Sequence, residues 1–134
     1  VKQQGGNGTT ALAEAASSGC TAEARLLLQH GADPNLADDV GSTPLLRAAM
    51  ASGDAGRGVA ALLLDAEAEI DHQNKKGETA FMYACLNSNV EVVRLLLERG
   101  ANQYSKDQDG DDARSYHIPR AVRKEELLAL LARY

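Results

Sequence analysis

Apolar residues recur along this chain in two signatures. One is a run of three leucines: Leu26-Leu27-Leu28, Leu62-Leu63-Leu64 and Leu95-Leu96-Leu97. The other is a pair of small residues that precedes each run: Ala15-Ala16, Ala48-Ala49 and Ala84-Cys85. Around the leucines the apolar positions fall at helical spacing, and Val92, Val93, Leu96 and Leu97 line one face of a helix. The pattern predicts pairs of short helices. A first helix carries the small residues and allows close approach, and a second carries the leucines.

The helix pairs are copies of one unit. Gly8-Thr9-Thr10-Ala11-Leu12 returns as Gly41-Ser42-Thr43-Pro44-Leu45 and as Gly77-Glu78-Thr79-Ala80-Phe81. The leading glycines are 33, 36 and 33 residues apart, from Gly8 to Gly41, Gly77 and Gly110. The three extra residues of the second unit fall within 52–58, between its two helical stretches. A fourth unit starts at Gly110 with Asp112-Ala113-Arg114 where the others have Thr and Leu. It keeps a closing helix in Glu125–Leu131. Regular units of this length indicate a stacked repeat architecture, in which neighbours bury what one unit cannot.

Local chemistry agrees with these boundaries. Gly at each unit start suits a turn that needs positive φ. Thr10, Thr43 and Thr79 stand where a hydroxyl caps the first helix. Pro44 follows at a position where a missing N–H costs little. Gly31 and Gly100 read as left-handed ends of the second helices. Glu67 holds the equivalent place, so the second unit is expected to end its helix differently or to carry strain. Residues 1–7 read as a flexible tail, and the opening Val fits an excised or processed segment.

Composition narrows the class. Ala (23 residues) and Leu (18) dominate, with one Phe, four Tyr and no Trp. That mixture favours helix over sheet. The formal charge of −5 disfavours non-specific nucleic-acid binding, which needs basic surface. No apolar run reaches the length of a membrane helix, about 20 residues. Cys20 and Cys85 form no CxxC pair, which fits a reduced intracellular, most simply cytoplasmic, protein. Cys85 reads as a buried small residue and Cys20 as a turn residue.

Candidate chemistry is thin. Gly56-Arg57-Gly58-Val59-Ala60-Ala61 matches G-x-G-x-x-A, but no strand precedes it, so it reads as a helix–helix connection rather than a dinucleotide site. His30, His72 and His117 lack partners at metal-ligand spacing and read as surface or helix-end residues. Asp107, Asp109, Asp111 and Asp112 lack calcium-loop offsets and a closing Glu, so they read as a solvated acidic turn. No cofactor, metal or catalytic residue is expected. A small enzyme using the 56–61 segment or the acidic cluster is the reading these considerations disfavour.

In-phase Gly, Thr, Leu, Ala-Ala and Leu-Leu-Leu over nearly the whole chain resemble the ankyrin repeat family, whose unit has 33 residues and a T-P-L-H-x-A signature. The resemblance implies an all-α solenoid of stacked helix–turn–helix units joined by β-hairpin-like turns. It would occupy 8–134, with repeats at about 5–37, 38–73, 74–106 and 107–134. The signature His, which usually ties neighbouring turns together, is replaced by Ala13, Leu46 and Met82. The resemblance also implies a non-catalytic, monomeric protein that binds a protein partner through its hairpin tips and the exposed side of its first helices. An alternative is an inhibitor or regulatory subunit that occludes an enzyme or toxin with the same surface. Carried onto this chain, the tips are Asp38, Asp39, Val40 and Ser42, then Asn74, Lys75, Lys76 and Glu78, then Asp107, Gln108, Asp109 and Asp111. The candidate helix positions are Ser17 and Ser18, then Arg47, Met50 and Ala51, then Tyr83, Leu86 and Asn87. Asn35 matches a position that can be hydroxylated in such repeats of animal cells.

Overall fold

In a computed structural model of the chain, residues 10–51 and 55–134 are described. The expected tail over 1–7, the Gly8-Thr9 start of the first unit and residues 52–54 of the insertion lie outside them. Among the described residues seven α-helices form: α1 Ala11–Ser18, α2 Thr21–Gln29, α3 Pro44–Met50, α4 Ala55–Asp65, α5 Ala80–Leu86, α6 Val90–Glu98 and α7 Lys124–Leu131. A π-helical turn, Ala113–His117, and a 3-10 turn, Ile118–Arg120, replace the first helix of the fourth unit. First helices α1, α3 and α5 pack side by side, and second helices α2, α4 and α6 form a layer behind them. The architecture is an all-α solenoid.

The two apolar signatures separate as expected. Leu12, Leu45 and Phe81 occupy one repeated place in the core, and all three are buried. Ala48, Ala49, Ala84 and Cys85 are fully covered, so α3 and α5 approach closely. Val92, Val93, Leu96 and Leu97 line the inner face of α6. Ala13, Leu46 and Met82 also face inward, so hydrogen bonding between units must come from elsewhere.

Capping varies from unit to unit. Thr10 Oγ1 accepts the Ala13 amide at 3.0 Å and Thr79 Oγ1 accepts that of Met82 at 3.3 Å. Thr43 departs from the expectation: its hydroxyl is buried and makes no hydrogen bond. In the fourth unit Asp112 caps the Ser115 amide at 2.9 Å, and Ser115 Oγ accepts the Asp112 amide at 3.0 Å. A capping box thus stands in for the lost Thr-Pro-Leu start.

The insertion is shorter as a loop than expected. The connection predicted across 52–58 ends by Ala55, so Gly56 and Gly58 lie inside α4. A Cβ on Gly56 would stand 2.0 Å from the carbonyl oxygen of Ala48, and one on Gly58 would stand 2.8 Å from Thr21 Oγ1. These glycines permit helix contact, which accounts for the G-x-G-x-x-A match without a phosphate. Asn89, also unforeseen, is buried and donates from Nδ2 to the carbonyls of Ala49 (3.0 Å) and Ala51 (2.6 Å). It satisfies the C-terminal end of α3 beside the insertion. His117 is buried rather than on the surface.

All three second helices end alike. The amides of Gly31, Glu67 and Gly100 bond the carbonyls of Leu28, Leu64 and Leu97 at 3.1 Å. The next residues, Ala32, Ala68 and Ala101, reach back to Leu27, Leu63 and Leu96. Gly31 and Gly100 have φ of 89° and 87°, and Glu67 adopts 68°. Tertiary packing therefore imposes the left-handed end on a residue with a Cβ, which costs about 1–2 kcal/mol. Relief of that strain, less the larger unfolded-state entropy of glycine, predicts that Glu67→Gly stabilises the fold by about 0.5–1 kcal/mol. Urea melts should show the gain, and Gly100→Glu should show a loss of comparable size.

Candidate functional site

The hairpin loops between units share a device that the sequence reading did not identify. Asp38 Oδ1 accepts the amides of Val40 and Ser42, both at 3.0 Å. Asn74 Oδ1 accepts those of Lys76 and Glu78, both at 2.9 Å. Asp107 Oδ1 accepts those of Asp109 (2.9 Å) and Asp111 (3.0 Å). Each residue precedes its turn glycine by three positions, and that spacing is the signal that could have found them. An Asx turn closes each loop, with Gly41, Gly77 and Gly110 at φ near 80°.

The closed loops then join one another. The Lys75 amide donates to Val40 O at 3.0 Å, and the Gln108 amide donates to Lys76 O at 2.9 Å. Gly41 and Gly77 are needed here: an added Cβ would stand 3.0 Å from the Lys75 nitrogen or 2.7 Å from that of Gln108. Side chains reinforce the row. His72 Nε2 lies 2.8 Å from Gly41 O, and Gln73 Nε2 donates to Lys106 O at 2.8 Å. Asn35 bridges Glu67 O and the Glu69 amide, and Asp71 accepts the Asn102 amide in the next unit. These contacts do the work left undone where the signature His is missing, and they occupy both ends of the Asn35 amide.

Helices α3 and α5 are also tied to their own loops. Arg47 on α3 forms an ion pair with Asp38, whose side chain is only 2% exposed. At the equivalent place on α5, the Tyr83 hydroxyl donates to Glu78 Oε1 at 2.6 Å. Asn74 Nδ2 stands 3.2 Å from both the Tyr83 oxygen and Glu78 Oε1. Burial pulls the Asp38 carboxyl upward, but Arg47 and the Ser42 and Val40 amides outweigh it and hold its pKa below the usual value. Burial, assisted by Glu78, pushes the Tyr83 phenol up to about 12, so it remains a hydrogen-bond donor.

The predicted binding residues divide accordingly. Asp39, Val40, Lys75, Lys76 and Asp109 are exposed at the tips, and Asp111 is half-buried beside them. Val40, Lys75, Lys76 and Tyr83 come together, with Asn74 and Glu78, around a cleft of about 180 Å³ between the first and second of these loops. Met50 and Asn87 are exposed, and Leu86 is half-buried, at the far ends of α3 and α5. Arg47 and Tyr83 are not free contact groups, because both are built into the scaffold. Ser42 and Asn74, expected at the tips, are buried.

Burial pushes the Cys85 thiol up to about 12, which keeps it protonated, and Cys20 is exposed in the α1–α2 turn. Carboxylate oxygens of Asp107, Asp109 and Asp111 lie within 4.8 Å of one another. The Asx turn already accounts for Asp107. No helix among the described residues is long and apolar enough to cross a membrane.

Comparison with known proteins agrees with the repeat geometry. A family model of ankyrin repeats, in three copies, matches residues 1–74 and 51–131. The chain belongs to the ankyrin repeat family. It is 34% identical over 110 residues to an ankyrin repeat-containing protein of Treponema pallidum, covering 81% of this chain and 36% of that one. It is 38% identical over 94 residues to the human ankyrin repeat and SOCS box protein 6, covering 64% of this chain and 22% of the relative. An ankyrin repeat protein of Acanthamoeba polyphaga mimivirus is 34% identical over 83 residues, covering 60% of this chain and 51% of the relative. The chain therefore spans about half or less of these relatives. Ankyrin repeats are generally protein–protein interaction modules.

The Asp38–Arg47 pair makes a pH prediction. With the folded pKa below the unfolded value of about 3.9, its contribution is complete above that pH and lost as pH falls through the folded value. The difference in melting temperature between the native chain and Asp38→Asn should narrow as pH is lowered below about 4. Tyr83→Phe should cost about 1 kcal/mol at neutral pH by removing the donor to Glu78, read from urea melts.

Proposed function

We propose that this ankyrin array is a non-catalytic, monomeric interaction module. It binds a partner protein through the tips of its hairpin loops and the adjoining exposed side of α3 and α5. One observation carries the reading. The loops are locked together by backbone hydrogen bonds and Asx turns, while Asp39, Val40, Lys75, Lys76 and Asp109 point outward and are exposed. A rigid scaffold presenting side chains that the fold does not consume loses little entropy on binding.

Val40 is 56% exposed and Met50 is 41% exposed. Apolar groups of this kind next to charged ones resemble the composition of interface centres and rims. The net charge of −5 supports a protein rather than a nucleic acid as partner. The free cysteines support a reducing, cytoplasmic setting.

The test is capture of partners from a lysate of the source organism, with identification by mass spectrometry and measurement of Kd for the recovered protein. Val40→Asp with Met50→Asp should keep the melting temperature within about 2 °C, since surface substitutions rarely exceed about 0.5 kcal/mol. The same pair should weaken binding at least tenfold. Leu26→Asp on α2, away from the tips, should leave binding intact. Loss with the α2 variant and retention with the tip variant would move the interface to the helical back of the array.

A further inference from the structure

The charges around the cleft between the first and second loops are unevenly used. Asp38 is paired with Arg47. The Glu78 carboxylate receives the Tyr83 hydroxyl and the Asn74 amide. Asp107 is engaged by backbone amides of its own turn. Lys75 and Lys76 differ. Both are exposed, and neither is among the ion pairs formed by the described residues. The carboxylates of Asp38, Glu78 and Asp107 thus have internal partners, those of Asp39 and Asp109 are exposed at the flanking tips, and the two lysines of the middle loop have no ion-pair partner among the described residues.

The cleft also has an apolar wall. Val40 and Tyr83 both line it, and Tyr83 is held through its hydroxyl. The volume of about 180 Å³ suits one aliphatic side chain. The ring cannot swing to fill the space without losing two hydrogen bonds, so the cleft is formed before a ligand arrives. The backbone beneath is equally fixed, because the Lys75 amide is bonded to Val40 O.

From this juxtaposition we infer that the cleft receives an acidic segment of a partner protein, with an aliphatic side chain against Val40 and Tyr83 and flanking carboxylates on Lys75 and Lys76. This rests on the interaction reading above and gives it a ligand chemistry. Asp39 and Asp109 border the lysines along the tip row, so they repel a long polyanion and restrict the acidic stretch to the middle loop. A basic segment would meet both lysines directly, and the one carboxylate that lines the cleft, Glu78, is already engaged by Tyr83 and Asn74.

The probes are nine-residue peptides with a central Leu flanked by Asp or Glu, and matched sets flanked by Ser or by Lys. They are titrated into the isotope-labelled full chain at low salt and followed by amide chemical shifts. The acidic set should shift Val40, Lys75, Lys76 and Tyr83 and bind about tenfold more tightly than the Ser set. Lys75→Glu with Lys76→Glu should abolish that preference and admit the Lys set, with an unchanged melting temperature. Equal binding of all sets, preference for the Lys set, or indifference to the charge reversal would overturn the inference. So would shifts confined to other surfaces, the absence of binding at millimolar peptide, or binding of phosphatidylserine vesicles in place of the acidic peptides. Binding of the Ser or Lys set at these same residues as tightly as the acidic set would overturn only the ligand chemistry. Loss of partner capture in the Val40→Asp, Met50→Asp chain is read independently and decides the broader interaction reading.

Discussion

The rest of the structure depends on a side-chain oxygen three residues before each turn glycine. Asp38, Asn74 and Asp107 each fold a loop around themselves by accepting two backbone amides. A loop so closed holds its outward groups at fixed positions: the Val40 and Lys76 carbonyls each accept an amide of the next loop, and the Lys75 and Gln108 amides each donate to the preceding one. Stacking of helices alone would leave the loops free to splay, because apolar packing is not directional. The turns supply direction. Gly41 and Gly77 are required twice over, for positive φ and for the backbone of the neighbouring loop that presses on them, whereas Gly110 is required for positive φ alone.

The repeat architecture was legible because its signals are periodic and mutually consistent. The Leu runs, the small-residue pairs and the glycine spacing all name the same units, and the structure places them in the layers expected. Irregular features were less legible. Asn89 bonds two carbonyls about 40 positions away, at Ala49 and Ala51, and no local pattern reports a contact across units. Gly56 looks like loop chemistry in a linear reading. Its reason lies in the approach of α3 to α4, which appears only after packing. His117 reads as a surface residue until the π-helical turn carries it inward. The candidate site divided in the same way. Tip exposure follows from repeat register, whereas the bonds that tie Arg47 and Tyr83 to their own loops are not announced by it.

Glu67 shows which term wins when local preference and repeat register conflict. Propensity argues against a left-handed glutamate, by about 1–2 kcal/mol. Ending the helix elsewhere would displace Ala68 and the loop beyond it, including the Glu69 amide that Asn35 accepts. It would also break the Ala68–Leu63 bond that the other units keep as Ala32–Leu27 and Ala101–Leu96. Several contacts with both neighbours outweigh one strained residue. A solenoid is stabilised by its nearest-neighbour interfaces, so the register of a middle unit is held from two sides.

The same reasoning bears on where binding chemistry resides in such a scaffold. A charge that closes a turn or anchors a helix is unavailable to a partner, since taking it would unfold part of the surface being recognised. Asp38, Glu78 and Asp107 are committed in this way. Lys75 and Lys76 contribute their backbone to the loop row and keep their side chains outside it. Backbone groups hold the row, and side chains at the tips are free to differ from unit to unit, here acidic, basic and acidic. Substitution at a tip therefore changes the exposed surface at little cost to the fold, whereas substitution at the residue that closes the turn changes both.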